Sequence, residues 1–580
     1  MRSIPGRRSA RGSAVAGIAT GTSMAALVAM LVGCRAELAP PIPTASSRDT
    51  EARRGGTLHL ASMADIRGLD PAGPADGLSG AAMHLIFAGL VDFDEHGRIL
   101  PDLADHWELA DAGTTYRFVL REGVRMHDGE ELTAADVKRS MERALHPSSP
   151  DPNASYFDGI AGYAAYASGR AEHLDGVVVE GRYVVSFRLS QPDATFLSVL
   201  ALLSPRPVCK TGGDRYVDTW LPCGAGPFKL LAGRWQRGAS LRLERHDGYF
   251  RAGLPYLDAV EWTYNEQPLA QRFGFEAGEV DLLREMTQAD QTRFASDARW
   301  RPFGTRDADV SLYGEAMNTR VPPFDNVEVR RAVAAAIDRE HYRLLKPGYV
   351  TPLTQPIPRD IPGHDPDLPC QRYDHAAALE HMRLAGLPYD PATGLGGWPK
   401  PIEYLLYDKG LPVWTAQVLK QELASIGLRI ELRLVSFPAF LAIQQRPGGA
   451  AMSLGSWSMD YPDPSSFFEP LFTSGAIGAE SSSNAAFFSN LRFDDLVARA
   501  HRELDAERRR TLYDEASSIL CDEAPWAFTF SYHWFEERQA YVRGPVFNAV
   551  WIVDPTRTWL DRAGSPAGST LGSSSVGSGR

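Results

Sequence analysis

Apolar residues follow two different periods in the first half of the chain. Residues 116–120 and 183–189 alternate apolar with polar side chains, which predicts strands with one buried face. Between them, Thr133 and Asp136 form a capping box, and apolar residues at helical spacing follow it. This part of the chain is therefore expected to place a helix between two strands.

The second half shows the same alternation of patterns. Asp325 and Glu328 are expected to cap a helix. Gly427 is expected to end another helix, and an alternating strand follows from Leu428. Because strand and helix patterns alternate along the whole chain, the predicted fold class is mixed α/β.

Chain length and net charge limit the number of domains and the kinds of partner that are expected. The chain has 580 residues, which is more than one ordinary hydrophobic core organises, so two or three domains are expected. The formal net charge is −12, and no basic stripe offsets the acid excess. Nucleic acid is therefore not an expected partner.

The N-terminal residues carry the pattern of an export signal. Residues 1–33 carry four arginines among the first eleven positions and continue with an uncharged run of small and apolar residues, which predicts a lipoprotein signal peptide. The run ends in Leu-Val-Gly-Cys, which resembles the bacterial lipobox and implies lipidation of Cys34. A plain signal peptide or a short membrane helix is the alternative. Residues 34–54 are expected to form a flexible tether, and 564–580 a disordered tail.

Four cysteines remain beyond the lipobox. An even number of cysteines in an exported chain favours disulfide pairing. Cys209 and Cys223 lie close enough in sequence to close a short loop, which leaves Cys370 and Cys521 as the second pair. Spacing alone does not determine connectivity, so these two disulfides are a hypothesis.

Sequence motifs of catalysis and metal binding are absent from the chain. It contains no Walker loop, no Gly-x-Gly-x-x-Gly after a strand, no His-Glu-x-x-His and no Gly-x-Ser-x-Gly. The 14 histidines are scattered, and His375 and His381 are six residues apart, off one helical face. We therefore expect no metal, no cofactor and no enzymatic activity.

One segment combines aromatic and acidic side chains. Gly455–Pro470 reads GSWSMDYPDPSSFFEP and places Trp457, Asp460 and Tyr461 within five positions. Such a segment would suit a metal site, a carboxylate pair, a ligand platform or a packed loop. The pattern of residues alone leaves these alternatives open.

Eight stretches, in order, resemble a known family. The stretch most similar to the family signature is Tyr116–Val137, YRFVLREGVRMHDGEELTAADV. The family is family 5 of the extracytoplasmic solute-binding proteins of ABC importers, the oligopeptide and dipeptide binders. Met126 and Cys223 depart from its usual residues. The other stretches are Gly55–Pro71, Ile86–Trp107, Cys223–Leu230, Phe275–Leu283, Met317–Glu340, Tyr373–Gly386 and the aromatic segment itself.

The resemblance implies a two-lobed periplasmic-binding-protein fold of type II, cluster C, with ligand enclosed between the lobes. Lobe 1 would contain three parts and an extra subdomain, and lobe 2 would be continuous. The implied boundaries are 55–90, 190–311 and 529–563 for lobe 1, 91–189 for the extra subdomain, and 312–528 for lobe 2.

The resemblance also implies a function without catalysis. The chain would be the lipid-anchored binding subunit of an ABC importer, and it would deliver peptides to a membrane permease driven by a separate ATPase. It would act as a monomer on the outer face of the cytoplasmic membrane or in the periplasm. Alternatives on the same fold are binding of a nickel chelate, haem or an oligosaccharide. A secreted carboxylate-based hydrolase is the alternative of another class.

Site residues follow from the Trp-x-x-Asp-Tyr pattern of the family's peptide binders. Asp460 matches the aspartate that receives the peptide ammonium, and Trp457 and Tyr461 are candidate ligand contacts beside it. Asp463 matches a turn residue. Some oligopeptide binders carry an arginine shortly before the tryptophan position, but no basic residue precedes Trp457 there. The residue that would bind the peptide carboxylate is therefore not identified by the resemblance. Candidates for that role are Arg320, Lys409 and Arg446.

Overall fold

The computed structural model describes residues 52–73, 76–216, 220–408, 411–478 and 480–562. The predicted signal peptide, the lipidation site Cys34, Lys409, nearly all of the tether and the predicted tail lie outside the described residues. Within the described part, no helix has the length and apolar character that a membrane crossing needs.

The strands are numbered in chain order. They are β1 Thr57–Ala61, β2 Val91–Phe93, β3 Ile99–Pro101, β4 Ala104–Ala110, β5 Thr115–Leu120, β6 Val177–Gly181, β7 Val184–Arg188, β8 Phe228–Gln236, β9 Ser240–Arg245, β10 Ala259–Thr263, β11 Leu282–Leu283, β12 Gly304–Arg306, β13 Ser311–Met317, β14 Val350–Pro352, β15 Tyr389–Asp390, β16 Leu395–Gly396, β17 Ile402–Tyr407, β18 Ile430–Val435, β19 Met452–Ser458, β20 Trp526–Tyr532, β21 Phe535–Arg538, β22 Val542–Arg543, β23 Phe547–Asn548, β24 Ile552–Val553 and β25 Trp559–Leu560.

The α-helices are numbered in the same way. They are α1 Gly77–Ile86, α2 Ala134–Ala144, α3 Tyr163–Ala167, α4 Phe196–Ala201, α5 Pro268–Ala277, α6 Gln288–Ser296, α7 Val327–Ala336, α8 Arg339–Leu345, α9 His375–Leu384, α10 Leu411–Ala424, α11 Phe437–Gln444, α12 Ser465–Phe472, α13 Leu491–Arg502 and α14 Ala506–Glu523.

A six-stranded mixed sheet organises the second half of the chain. Its strand order is β14-β20-β13-β19-β17-β18. β17 runs parallel to β18 and β19, while β13 is antiparallel to its neighbours β19 and β20. The carboxyl ends of β17, β18, β19 and β20 therefore meet at one edge of the sheet. Separate hydrophobic cores contain residues of α7–α10 and of α12–α14.

Three further sheets of three or four strands lie in the rest of the described chain, together with two-stranded pairs. Their strand orders are β1-β10-β9-β8, β4-β5-β7-β6 and β11-β21-β12. The predicted strands at 116–120 and 183–189 correspond to β5 and β7, which pair antiparallel. The capping box before α2 is also present, because the Asp136 carboxylate accepts the backbone N–H of Thr133 at 3.0 Å.

The cap of one helix differs from the sequence prediction. The cap of α7 is Asn326, whose side-chain oxygen accepts the N–H of Glu328 at 2.9 Å, so the cap lies one residue after Asp325. The strand β20 runs to Tyr532, because its residues 530–532 still pair with β13 or β14. Below, lobe 2 means residues 311–532, and lobe 1 means the described residues on either side.

The chain passes between the two lobes twice, at 306–311 and 532–535. His533 in the second passage is fully buried, and its ring contacts Asp309 of the first passage. Asp307 and Trp534 exchange two hydrogen bonds that also join the passages. The two connections are therefore held together as one unit.

Two disulfides are present. Cys209 is bonded to Cys223 in lobe 1, and Cys370 is bonded to Cys521 in lobe 2. Both pairings are those that the spacing suggested. The second joins the segment before α9 to the end of α14, across 151 positions of sequence.

Candidate functional site

The candidate site begins where β19 leaves the six-stranded sheet. β19 ends at Ser458, and α12 starts at Ser465, so residues 459–464 form the connecting loop. The backbone N–H of Asp460 donates to the hydroxyl of Ser466 at 2.8 Å. The first turn of α12 therefore holds the loop in place.

Arg509 of α14 fixes the other side of this loop. Its guanidinium donates to both carboxylate oxygens of Asp463, at 2.5 and 2.8 Å. Burial lowers the pKa of Arg509, but the charge of Asp463 and its hydrogen bonds outweigh burial and raise that pKa. Asp463 also accepts the N–H of Ser465 at 2.9 Å, which starts the helix. These contacts give Asp463 the role of a turn residue.

Asp460 has a different environment from Asp463. It is partly buried, and its Oδ2 accepts a hydrogen bond from Tyr156 Oη at 2.8 Å. Burial raises the pKa of Asp460, and the Tyr156 hydrogen bond offsets only part of that rise. Among the described residues, no lysine, arginine or histidine lies within ion-pair distance of it. Asp460 is thus a desolvated carboxylate without a cation, which is costly unless a ligand supplies one.

Trp457 and Tyr461 lie on either side of Asp460 and differ in burial. Trp457 pairs with Leu312 across the sheet, is partly buried, and has an indole N–H that finds no hydrogen-bond partner among the described residues. Tyr461 is only 2% exposed, and its hydroxyl lies 3.1 Å from Ser465 Oγ. Its ring meets Tyr156 edge to face at 5.9 Å. In this structure Tyr461 supports Tyr156 by packing and offers little free surface.

Aromatic side chains also lie at the carboxyl ends of β17 and β18. Tyr407 ends β17 and Phe437 follows β18, and the two rings meet edge to face at 5.3 Å. Phe437 is 52% exposed. Neighbouring strands are about 4.8 Å apart, so β18 lies about 10 Å from β19 along this edge. Ligands of open α/β sheets bind at the carboxyl ends of strands, which is where these residues lie.

Of the cations proposed from sequence, Arg320 and Arg446 lie in the described ranges, and neither forms an ion pair with Asp460. Arg320 is exposed and lies 5.9 Å from the ring of Phe487, and Arg446 is exposed after α11. Sequence reasoning missed Lys346, which lies between the lobes. Its Nζ is 3.5 Å from Gln288 Oε1 of lobe 1 and 5.0 Å from the Trp414 ring of lobe 2. Within the described ranges, no carboxylate lies within 4.0 Å of it.

In the described part of the chain, one metal-like cluster and two cavities were found, and none of them includes Asp460. Among the described residues, one group has metal-like geometry, Asp128 with Cys209 and Cys223, and both of its thiols are used in a disulfide. One cavity of about 110 Å³ lies in lobe 1 around His84 and Asp92. Another of about 460 Å³ adjoins the Cys370–Cys521 disulfide. Neither is lined by Asp460, so the loop is recognised by its chemistry rather than by cavity volume.

Comparison with known proteins places this geometry in a family. Residues 98–479, about two thirds of the chain, match the model of the bacterial extracellular solute-binding proteins, family 5 middle. The glutathione-binding protein GsiB of Salmonella typhi is 27% identical over 468 residues, covering 79% of this chain and 85% of GsiB.

Solved structures show the same fold. The periplasmic binding protein DppA from Helicobacter pylori, in complex with the peptide STSA, superposes with a TM-score of 0.71 and 24% identity, over 88% of this chain and 99% of DppA. The clavulanic acid biosynthesis oligopeptide binding protein 2 gives a TM-score of 0.77 and 24% identity, over 88% of this chain and 96% of that protein. The fold is the two-lobed α/β fold of type II periplasmic binding proteins, and the chain belongs to family 5 of the bacterial extracellular solute-binding proteins.

Proposed function

We propose that this protein captures peptides between its two lobes and holds the peptide ammonium at Asp460. The observation that carries the proposal is the partly buried carboxylate of Asp460, which faces Tyr156 of lobe 1 and has no cation beside it in the described structure. A ligand ammonium would supply the missing charge. A charge-assisted hydrogen bond of this kind contributes about 1.5 to 3 kcal/mol.

The aromatic sheet edge suits the rest of a peptide. An extended peptide that ran from Asp460 along the carboxyl ends of the strands would pass the ends of β17 and β18, where Tyr407 and Phe437 lie. Aromatic faces accept varied side chains without requiring one geometry. We infer that Lys346 receives the peptide carboxylate, because it is a cation between the lobes without an acidic partner in the described ranges.

Glutathione is the second candidate ligand. GsiB, a relative that covers 79% of this chain, is named as a glutathione-binding protein. Glutathione also carries an ammonium that Asp460 could receive. It differs from an ordinary peptide in having two carboxylates, and so would need a second cation besides Lys346.

The proposal also includes a lipid anchor that holds the protein at the membrane and delivery of the ligand to a permease. Lipid on Cys34 would hold the protein at the outer face of the cytoplasmic membrane, where a permease and its ATPase would take up the captured ligand. Replacing Cys34 with Ser should release the protein into the soluble fraction and abolish labelling by a palmitate analogue. Retention of both properties in the variant would rule out the anchor.

Native mass spectrometry of the protein as purified tests which ligand is captured. We expect a retained mass that matches peptides or glutathione, and we expect it to be lost in Asp460→Asn. The matched control is Asp495→Asn, which removes an exposed carboxylate on α13 and should leave the retained mass unchanged. A retained sugar or metal chelate in the wild-type protein would overturn the proposal.

A further inference from the structure

His501 forms an ionic link between the lobes, next to the candidate site. Its Nδ1 lies 2.8 Å from Glu469 Oε1 of lobe 2, and its Nε2 lies 3.3 Å from Asp193 Oδ1 of lobe 1. His501 stands near the end of α13, whereas Asp193 precedes α4. One imidazole ring therefore contacts a carboxylate on each side of the lobe boundary.

Backbone and side-chain contacts join the two lobes beside this ionic link. The N–H of Ala194 donates to the carbonyl of His501 at 2.8 Å. A methyl group added at Gly113 of lobe 1 would overlap the side chain of Leu504 of lobe 2. The ionic link is thus part of a close-packed contact and not an isolated surface pair.

The charges around the ring favour its protonated form. Burial lowers the pKa of His501, but hydrogen bonds to Asp193 and Glu469 outweigh burial and raise the pKa to about 10. Asp158 is the third acidic group near the ring. Burial raises the pKa of Asp193, and its hydrogen bonds to His501 and Thr195 more than reverse that rise. Both partners are therefore charged at neutral pH.

The link joins the two segments that carry the site. Glu469 belongs to α12, the helix whose first turn holds the Asp460 loop. Asp193 leads into α4, which packs beside the short helix 154–157 that carries Tyr156. Because His501 links Glu469 to Asp193, it also holds the Asp460 loop close to the helix that carries Tyr156.

We propose that His501 is a positioning residue, an inter-lobe latch that holds Tyr156 and Asp460 together in the closed protein. The latch acts on closure, so it goes beyond the proposed capture of peptides and does not depend on the ligand being a peptide. Substituting His501→Gln keeps a polar side chain of similar size and removes the charge. Asp193→Asn removes the charge of the opposite partner and leaves His501 its bond to Glu469.

Hydrogen–deuterium exchange of the full chain as purified tests the latch. In His501→Gln we expect at least threefold faster exchange in peptides covering 154–157 and 459–466, with β13 unchanged. Asp193→Asn should give the same pattern, and the double variant should add little. The matched control is His381→Gln, since His381 has similar exposure and bonds Glu328 within lobe 2. That control should leave both segments at the wild-type rate.

Three outcomes would overturn the latch. Wild-type exchange in both segments of His501→Gln and of Asp193→Asn would show that no link holds them. A uniform rise over the whole chain, β13 included, would show a general structural role. Additive effects in the double variant would show that the two residues act independently.

Discussion

Tyr156 Oη lies 2.8 Å from Oδ2 of Asp460, although 304 positions separate the two residues in sequence. Tyr156 belongs to lobe 1 and Asp460 to lobe 2. The hydrogen bond therefore joins the two lobes, and it holds the carboxylate at the boundary between them. A binding protein that encloses its ligand needs groups from both lobes at one point, and under the proposed function this pair provides them.

Replacing Tyr156 with Phe tests this contact. The variant keeps the ring that packs on Tyr461 and removes the donor to Asp460. We expect the affinity for tri-alanine to fall about threefold to tenfold, which corresponds to roughly 0.5 to 1.5 kcal/mol for one hydrogen bond. Calorimetric titration measures the change. The control Tyr183→Phe removes a hydroxyl bonded to Glu131 in lobe 1 and should have no effect. Equal affinities of the Tyr156 variant and wild type would argue against the contact.

Lys346→Gln tests the carboxylate partner. We expect weaker binding of tri-alanine, by about tenfold, because the carboxylate loses its counter-charge in the cleft. Binding of tri-alanine amide, which lacks the carboxylate, should change much less. The exposed Lys420 of α10 provides the matched control Lys420→Gln. If the variant weakened both ligands equally, the role of Lys346 would be structural.

Much of the fold could be predicted because its signals are local. The capping box of Thr133 and Asp136 and the alternation of 116–120 lie within a few residues of each other. Gly427 ends its helical segment with a φ of +82°, a conformation that favours glycine and that the sequence marks directly. The sequence prediction placed the cap of α7 at Asp325, one residue before the observed cap Asn326. Asp and Asn are both good caps, so only the three-dimensional geometry decides between the two neighbours.

The partners of the candidate site could not be predicted in this way. One short motif predicts Asp460 and Trp457 as site residues. The residues that contact the site or join the lobes lie in segments without a recognisable pattern; they are Tyr156, Lys346, Asp193 and His501. Each acquires its role from a contact that joins the lobes. Burial of Tyr461 likewise depends on Tyr156, which no periodicity in the 455–470 segment reveals.

The pH dependence of stability tests the charge on His501. Its pKa in the folded protein, about 10, lies above the ordinary 6.5. Its contribution to the free energy of unfolding should therefore be complete below pH 6.5 and decline as the pH rises towards 10. We expect His501→Gln to be less stable than wild type by about 2 to 4 kcal/mol at pH 6 and to approach it at pH 9.5. Urea unfolding at both pH values measures this. A difference independent of pH would contradict a charged link.

Removing the Cys370–Cys521 disulfide should destabilise the protein more than removing Cys209–Cys223. The first spans 151 positions and the second 14, and loop closure restricts the unfolded chain more when the loop is long. We expect losses of about 5 and about 3 kcal/mol for the two double serine variants. Thermal unfolding of the two variants shows which loss of stability is larger. A thiol assay on the denatured wild-type protein should find neither cysteine pair reduced. The reverse order of stability would contradict this explanation.

Calorimetric titration of tri-alanine and N-acetyl-tri-alanine into wild type and Asp460→Asn tests peptide capture most directly. Acetylation removes the ligand ammonium, and the variant removes the carboxylate that should receive it. We predict that the wild type binds tri-alanine at least tenfold more tightly than the acetylated peptide, and that Asp460→Asn binds both with similar, weaker affinity. Asp495→Asn should retain the wild-type preference. Equal wild-type affinity for the two peptides, or an undiminished preference in Asp460→Asn, would contradict the assignment of Asp460 as the ammonium site.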